Sequence, residues 1–179
     1  MRLLPKEGKP TMSKENTHCA GLPPSVDKRS RILILGSMPG AASLAAQEYY
    51  AHPMNRFWPL MTKLLKETET PPEYGARLKM LLRHHVALWD AIDTCDRAGS
   101  LDSDIRNATA NDFTSFLQLW PNIRTIGLNG GTAYATFAKA NRPLLTRSDL
   151  RILKLPSTSP ANARWRMDDL LRAWSELFA

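Results

Sequence analysis

Cysteine is scarce in this chain of 179 residues, which contains only Cys19 and Cys95. Two thiols are too few for a disulfide framework or for an iron–sulfur cluster held by four cysteines. Because Cys19 lies in a segment without periodicity, we do not expect it to pair with Cys95. A reducing, cytoplasmic compartment is therefore expected.

Long apolar runs are also missing. No stretch approaches the ~20 residues that span a bilayer, and the basic segment 1–10 lacks the apolar centre of a secretory signal. The chain has neither a Walker lysine loop nor a Gly-x-Gly-x-x-Gly segment. His84 and His85 are adjacent and have no cysteine pair nearby, so they lack metal-ligand spacing. We expect no membrane span, no metal and no cofactor.

Acidic residues are outnumbered, with 24 Lys and Arg against 17 Asp and Glu and a net charge of +7. Such an excess favours a polyanionic partner such as nucleic acid, because binding releases counterions. Plain solubility is the competing explanation for the same charge.

Four proline residues and no periodicity mark residues 1–24, which we interpret as a flexible basic arm. Residues 25–179 are expected to form a single domain in which strands and helices alternate. This pattern predicts an α/β fold, namely a three-layer α/β/α sandwich around a central, mostly parallel, four-stranded sheet. Residues 90–107 are expected to be a long polar loop, and Asn111 to cap a short helix. The expected strands are 32–35, 86–89, 123–128 and 152–155, and the expected long helices are 55–66, 74–84, 132–140 and 164–178.

Unusual loops follow three of the expected strands, and ligands in such folds bind beyond the carboxyl ends of the strands. The first loop is Gly36-Ser37-Met38-Pro39-Gly40, the second is Asn129-Gly130-Gly131, and the third runs from Pro156 to Ala163. The segment Tyr49-Tyr50-Ala51-His52-Pro53-Met54-Asn55-Arg56-Phe57-Trp58 adds aromatic and polar groups that no hydrophobic core requires.

Taken in this order, these strings resemble the uracil-DNA glycosylase superfamily from about Arg31 to the C-terminus. Ser100-Leu101-Asp102-Ser103 and Leu155-Pro156-Ser157-Thr158-Ser159-Pro160-Ala161-Asn162 are closest to the hypoxanthine-DNA glycosylase branch. Mismatch-specific relatives have an asparagine where this chain has Met38, and classical uracil glycosylases have a histidine where it has Leu155. The resemblance implies a monofunctional glycosylase that acts on deaminated bases in DNA, with hypoxanthine as first choice and uracil as second.

The resemblance also implies roles for individual residues. Asn55 would orient the attacking water through its carbonyl oxygen, although an asparagine there also suits a helix cap. Tyr50 would stack on the extruded base, and Asn129 would read its polar edge or serve only as a turn residue. The first loop, with Gly36, Ser37, Met38 and Gly40, would donate backbone N–H groups to the base carbonyl, or form an ordinary turn. The third loop would wedge into DNA or merely cap the last helix, and its implied DNA-contacting residues are Ser157, Ser159, Pro160, Ala161, Asn162 and Arg164.

The same sequence features are compatible with other functions. A serine hydrolase elbow needs serine at the centre of its motif, where this chain has Met38. A catalytically inactive protein that binds DNA lesions would share the fold and the loops. The aspartates from Asp90 to Asp104 could include a general base, but solvated loop carboxylates are commoner. Asp102 is the strongest candidate among them, because it lies within the Ser100-Leu101-Asp102-Ser103 string. We expect a monomer that acts on DNA, associated with the nucleoid if the source is bacterial.

Overall fold

The computed structural model describes residues 15–179. Seven strands and seven α-helices are formed within that range. The strands are β1 (Thr17–Ala20), β2 (Ile32–Gly36), β3 (Val86–Asp90), β4 (Ile92–Arg97), β5 (Arg106–Ala110), β6 (Thr125–Asn129) and β7 (Arg151–Leu155). The helices are α1 (Ala41–Ala46), α2 (Phe57–Leu64), α3 (Tyr74–Arg83), α4 (Phe113–Leu119), α5 (Gly131–Ala140), α6 (Arg142–Leu145) and α7 (Met167–Trp174).

The central sheet has four strands in the order β3-β2-β6-β7, and all three pairings are parallel. Its strands are continuous apolar runs because both faces of the sheet are covered. Ile34 and Leu88 point into a core beneath α2, α3 and α7. Leu33 and Leu35 point the other way, into a core beneath α4, α5 and α6. The expected three-layer α/β/α sandwich is thereby confirmed.

A second sheet was not expected. Its three antiparallel strands lie in the order β1-β4-β5. β4 falls within the segment interpreted as a polar loop, and β5 begins at its end. That interpretation of residues 90–107 was wrong, because residues 92–97 form a strand with few buried apolar side chains. Ile92 and Cys95 pack inward with Met38, the Arg97 side chain is buried as well, and Asp93 is exposed.

The expected N-terminal arm of residues 1–24 lies partly outside the described residues. Its described part is attached to the domain, since β1 is an edge strand paired with β4 and the Leu22 carbonyl oxygen accepts from the Trp89 indole N–H at 3.1 Å. The register places Cys19 opposite Cys95, and both thiols are free. The premise that Cys19 lies in a loose tail was therefore wrong.

Helix ends differ from the expected ones by a few residues. The helix expected over 55–66 begins at Phe57, with Arg56 as N-cap, although Asn55 Oδ1 still accepts a hydrogen bond from the Phe57 N–H at 2.9 Å. Asp112 rather than Asn111 caps α4, accepting from the Ser115 N–H. Within residues 15–179, no helix is long and apolar enough to cross a membrane.

Candidate active site

The carboxyl ends of all four parallel strands line one pocket. Gly36, Asp90, Asn129 and Leu155, the last residues of β2, β3, β6 and β7, all line it. Its volume is about 930 Å³, within the range of pockets that hold small ligands. The connections from neighbouring strands diverge above this edge of a parallel sheet, and this divergence opens the crevice.

All three loops singled out in the sequence contribute to the pocket. The first loop supplies Gly36 to Gly40, the second supplies Asn129 to Gly131, and the third supplies Pro156 to Asn162 together with Arg164. Asn55 and Tyr50 line the same pocket. The structure therefore brings every predicted site residue to one place.

The first loop makes a close approach that requires glycine at its start. A Cβ on Gly36 would lie 2.6 Å from Asp90 Oδ1 and 3.3 Å from the Tyr50 hydroxyl oxygen. Ser37 donates its hydroxyl to Asp102 Oδ1 at 2.7 Å, which ties the loop to the 3₁₀ turn Asp102–Asp104. Within residues 15–179 the backbone N–H of Met38 has no hydrogen-bond acceptor, so it is free to meet a ligand.

Asn129 is held by its neighbours. Its Nδ2 donates to the Tyr50 hydroxyl at 3.1 Å and to Thr158 Oγ1 at 3.0 Å, while its Oδ1 accepts from the Thr158 N–H at 3.0 Å. Both amide protons of Asn129 donate to other residues. Only one lone pair of Oδ1 therefore remains to accept a hydrogen bond from a ligand. Its role in the geometry is to connect β6 to the third loop.

Asn55 belongs to the same network. Its Oδ1 accepts from the Phe57 N–H and from the Thr158 hydroxyl, each at 2.9 Å. Arg56 is the N-cap of α2, but the Asn55 side chain still accepts from the first N–H of that helix. The carbonyl oxygen expected to orient water therefore already has two donors. Nδ2 is the end of this amide that has no partner within residues 15–179.

Tyr50 has one aromatic face covered. Its ring stacks on Phe57 with 3.9 Å between ring centroids and an interplanar angle of 19°. Burial raises the pKa of Tyr50 and the nearby Asp90 raises it further, so the phenol stays neutral. The backbone of Tyr50 is left-handed, with φ of 55°, and this conformation is costly enough for a bulky residue that the surrounding contacts must hold it.

Arg56 holds the third loop and was missed by the sequence analysis. Its guanidinium donates to the carbonyl oxygens of Ser159 at 2.8 Å and Asn162 at 3.1 Å, and also to that of Trp165. The Arg56 backbone N–H donates to the Thr158 carbonyl oxygen at 3.1 Å. A planar guanidinium suits this task because its donors are fixed in a fork.

The third loop is further shaped by its own side chains. Ser157 Oγ accepts from the Ser159 N–H and Ser159 Oγ accepts from the Ala161 N–H, each at 3.2 Å. Asn162 Nδ2 donates to the Ser157 carbonyl oxygen at 3.0 Å. Both serine hydroxyls keep their O–H available, and the tip at Pro160 and Ala161 is exposed.

Asp90 was misread as a solvated carboxylate. It is 3% exposed at the pocket edge of β3, and its Oδ2 has no hydrogen-bond partner within the described residues. A usable signal was present in the sequence, because Asp90 follows an apolar strand directly, as Gly36 and Asn129 do.

Among residues 15–179, no group of three or more His, Cys, Asp or Glu side chains could hold a metal ion.

The family model described as the uracil DNA glycosylase superfamily matches residues 23–178. The chain belongs to the uracil DNA glycosylase superfamily. It is therefore a DNA glycosylase, a hydrolase whose substrate is DNA.

Relatives and a solved structure agree with this assignment. A hypoxanthine DNA glycosylase of Methanosarcina barkeri is 32% identical over 158 residues, which is 88% of this chain and 96% of the relative. A protein of the same name from Methanosarcina acetivorans is 36% identical over 145 residues, covering 81% of this chain and 89% of the relative. A solution NMR structure of a Methanosarcina acetivorans protein, named as a candidate uracil DNA glycosylase, superposes with a TM-score of 0.76 at 31% identity. This superposition covers 91% of this chain and all of the other.

Proposed function

We propose that this glycosylase removes deaminated bases from DNA, with hypoxanthine as its main substrate and uracil as the second. It would extrude the damaged nucleotide, hydrolyse the N-glycosidic bond and leave an abasic site. Two curated relatives named hypoxanthine DNA glycosylase support the choice of base. The observation that carries the reaction is the free amide nitrogen of Asn55 in a pocket that Tyr50 also lines.

The extruded base would lie against the Tyr50 face that Phe57 leaves uncovered. Stacking of a base on an aromatic side chain is worth about 1–3 kcal/mol. The Met38 N–H would donate to a carbonyl oxygen of the base, as a fixed donor that needs no reorganisation. Gly36 permits the close approach because a Cβ would fill the space beside Asp90.

Asn55 would place the water. Hydrolysis passes through a cationic, oxocarbenium-like sugar, which attracts a weak nucleophile, so the water needs position more than a strong base. The Asn55 Nδ2–H would hold the water oxygen and leave a second lone pair for the anomeric carbon. Thr158 and the Phe57 N–H fix the orientation of the amide by occupying its oxygen.

The third loop would enter the DNA where the base has left the helix. Ser157 and Ser159 keep O–H donors for phosphate oxygens, and Arg164 is exposed beside them. Pro160 and Ala161 at the exposed tip would fill the gap in the base stack. The Arg56 guanidinium would keep the loop in this shape before DNA arrives.

The test is cleavage of matched duplexes that contain one deoxyinosine, deoxyuridine or deoxyxanthosine, followed by alkali treatment. Wild type is expected to cut the inosine duplex fastest, and Asn55→Ala is expected to lose at least about a hundredfold in rate. Asn55→Asp is the matched control because it keeps the oxygen that accepts from Phe57 and Thr158 but lacks the N–H. An inactive Asn55→Asp enzyme with normal thermal stability supports the water-holding role.

Two outcomes would change the proposal. Cleavage of uracil alone would keep the reaction and overturn the choice of base. Specific binding of the inosine duplex without any base release would favour a lesion-binding protein, the alternative that shares this fold.

A further inference from the structure

The two cysteines of the chain lie directly opposite each other in the second sheet. Cys19 of β1 is the register partner of Cys95 of β4, and the two strands run antiparallel. Opposed residues of an antiparallel pair point to the same face of the sheet. Because the sequence contains no other cysteine, the fold has brought together every thiol of the protein from segments more than seventy residues apart.

The spacing at this position suits a disulfide bond. The Gly21 N–H donates to the Asp93 carbonyl oxygen at 2.7 Å, two positions from the cysteines on both strands. Hydrogen-bonded and non-hydrogen-bonded pairs alternate along an antiparallel ladder, so Cys19 and Cys95 form a hydrogen-bonded pair, whose Cα atoms are about 5.5 Å apart. Disulfide bonds join residues whose Cα atoms are about 4.4–6.8 Å apart. The bond can therefore form without moving either strand.

The two thiols differ in their access to solvent. Cys95 is 1% exposed and packs with Met38 and Ile92 beneath the first loop. Cys19 is half-buried and lies against the same apolar cluster. Its thiol donates to the Thr17 carbonyl oxygen at 3.4 Å, and a thiol is a weak donor that gives up such a bond easily. A small molecule in solution can reach Cys19 but not Cys95.

The environment of Cys95 also sets the order in which the thiols react. Burial raises the pKa of the Cys95 thiol, and the nearby Arg97 guanidinium only partly opposes this effect. The thiolate is the nucleophile in disulfide exchange, so a buried thiol with a raised pKa reacts slowly. Cys19 is therefore the residue that reacts first, and Cys95 the residue that resolves the product.

We propose that Cys19 and Cys95 form a dithiol site that reacts with low-molecular-weight disulfides, such as oxidised glutathione, and closes to a reversible disulfide bond between β1 and β4. The Cys19 thiolate attacks one sulfur of the small disulfide and displaces the first small thiolate. The Cys95 thiolate then attacks the Cys19 sulfur and displaces the second. The two cysteine protons pass to the displaced thiolates, so the cysteines lose two electrons and the small disulfide is reduced to two thiols.

The bond would reinforce the part of the fold that supports the first loop. It would close a segment that contains β2, the first loop, Asn55 and β3. A cross-link of this length restricts the unfolded chain strongly, which favours the folded state. β1 is an edge strand, paired with β4 alone, so the bond would also prevent this strand from separating from the sheet beneath Met38.

The experiment equilibrates the full-length protein in buffers with a rising ratio of oxidised to reduced glutathione. Free thiols are then alkylated, and intact protein and digested peptides are weighed by mass spectrometry. We expect the wild type to lose two hydrogen atoms, to take up no alkyl group, and to yield a Cys19 peptide joined to a Cys95 peptide. A glutathione adduct should not accumulate, because Cys95 displaces it.

Three variants test the assigned roles. Cys95→Ser is expected to stop at a glutathione adduct on Cys19, and Cys19→Ser is expected to leave Cys95 reduced while the protein is folded. The matched control combines Cys19→Ser with His18→Cys, which moves the thiol by one residue to the opposite face of β1. This control keeps two cysteines in the chain, and we expect it to acquire an adduct but no bridge.

The bond should also change stability in a way that depends on folding. The melting temperature of the bridged wild type is expected to lie about 5–10 °C above that of the reduced protein and to fall back when reductant is added. Cys19→Ser should melt at the same temperature in both buffers. Because linkage is reciprocal, the bridge should form at least about tenfold more readily in the folded protein than in concentrated urea.

Several results would overturn the inference. These are a stable glutathione adduct on wild-type Cys19, bonds that link two chains, an equal bridge in the His18→Cys control, and a melting temperature that does not rise on oxidation. None of these readouts involves DNA, so each result would leave the proposed function intact.

Discussion

The Thr158 hydroxyl donates to Asn55 Oδ1 at 2.9 Å, across 103 positions of the chain. Thr158 is fully buried, and its hydroxyl also accepts from Asn129 Nδ2 at 3.0 Å. One side chain thus joins the segment before α2, the end of β6 and the third loop. The orientation of the Asn55 amide depends on a residue that belongs to a different motif.

Replacing Thr158 with valine keeps the side-chain volume and removes this hydroxyl. We expect the rate of base release to fall about tenfold, because the Asn55 amide loses one of the two donors that orient it. Loss of two hydrogen bonds, each worth about 1 kcal/mol, lowers the melting temperature by several degrees. Thr158→Ser is the control, because it keeps the hydroxyl and should keep most of the rate. A fully active Thr158→Val enzyme would remove Thr158 from this role.

Arg56→Lys tests the attachment of the third loop. A lysine ammonium lacks the planar fork and cannot reproduce the bonds to the Ser159, Asn162 and Trp165 carbonyl oxygens. We expect faster amide hydrogen exchange in residues 157–165 and weaker binding of lesion-containing DNA. Arg83→Lys, at an exposed pair with Glu67, is the matched control. Unchanged exchange in both variants would show that other contacts hold the loop.

Gly36→Ala tests the close approach at the end of β2. The added Cβ would lie 2.6 Å from Asp90 Oδ1, so the pocket wall must shift, and both stability and base release should fall. Gly75→Ala in α3 is the contrasting variant, since nothing lies within 4 Å of its Cβ position. That change should raise helix stability by up to about 1 kcal/mol. Thermal unfolding of the two variants should therefore move in opposite directions.

Arg164→Ala tests contact with the DNA backbone. Arg164 is exposed beside the pocket and has no ion pair within the described part of the chain. If it binds a phosphate, its loss weakens binding similarly for all sequences and lowers the slope of log affinity against log salt by about 1. Arg124→Ala, at the opposite end of β6 and paired with Asp149, should leave the slope unchanged. Equal slopes for both variants would contradict the contact.

Apolar periodicity was sufficient to predict the central sheet. Residues 32–35 form a continuous apolar run, and in the structure Leu33, Ile34 and Leu35 are fully buried between two helical layers. A strand covered on both faces leaves this unbroken pattern in the sequence. The same reasoning predicted that the three loops lie near one another, because parallel strands end at the same edge of the sheet.

The second sheet could not be predicted in the same way. β4 reads Ile-Asp-Thr-Cys-Asp-Arg, with few apolar positions and a register shift against β5. Its pairing with β1 joins segments more than seventy residues apart, and no local pattern encodes such a partner. Cys19 was consequently placed in a loose arm, although it lies opposite Cys95.

The sequence by itself determined the layered α/β fold, the superfamily and the set of loops that form the pocket, because these depend on local periodicity and on motifs that are contiguous in the chain. Only the tertiary structure decided which atoms of those residues remain free. In the folded protein, both amide protons of Asn129 donate hydrogen bonds and the carbonyl oxygen of Asn55 accepts one from Thr158. The Asp90 carboxyl group is buried, and its Oδ2 has no hydrogen-bond partner within the described residues. The physical reason is that hydrogen-bond capacity and burial are set by neighbours distant in sequence, which meet only when the chain folds.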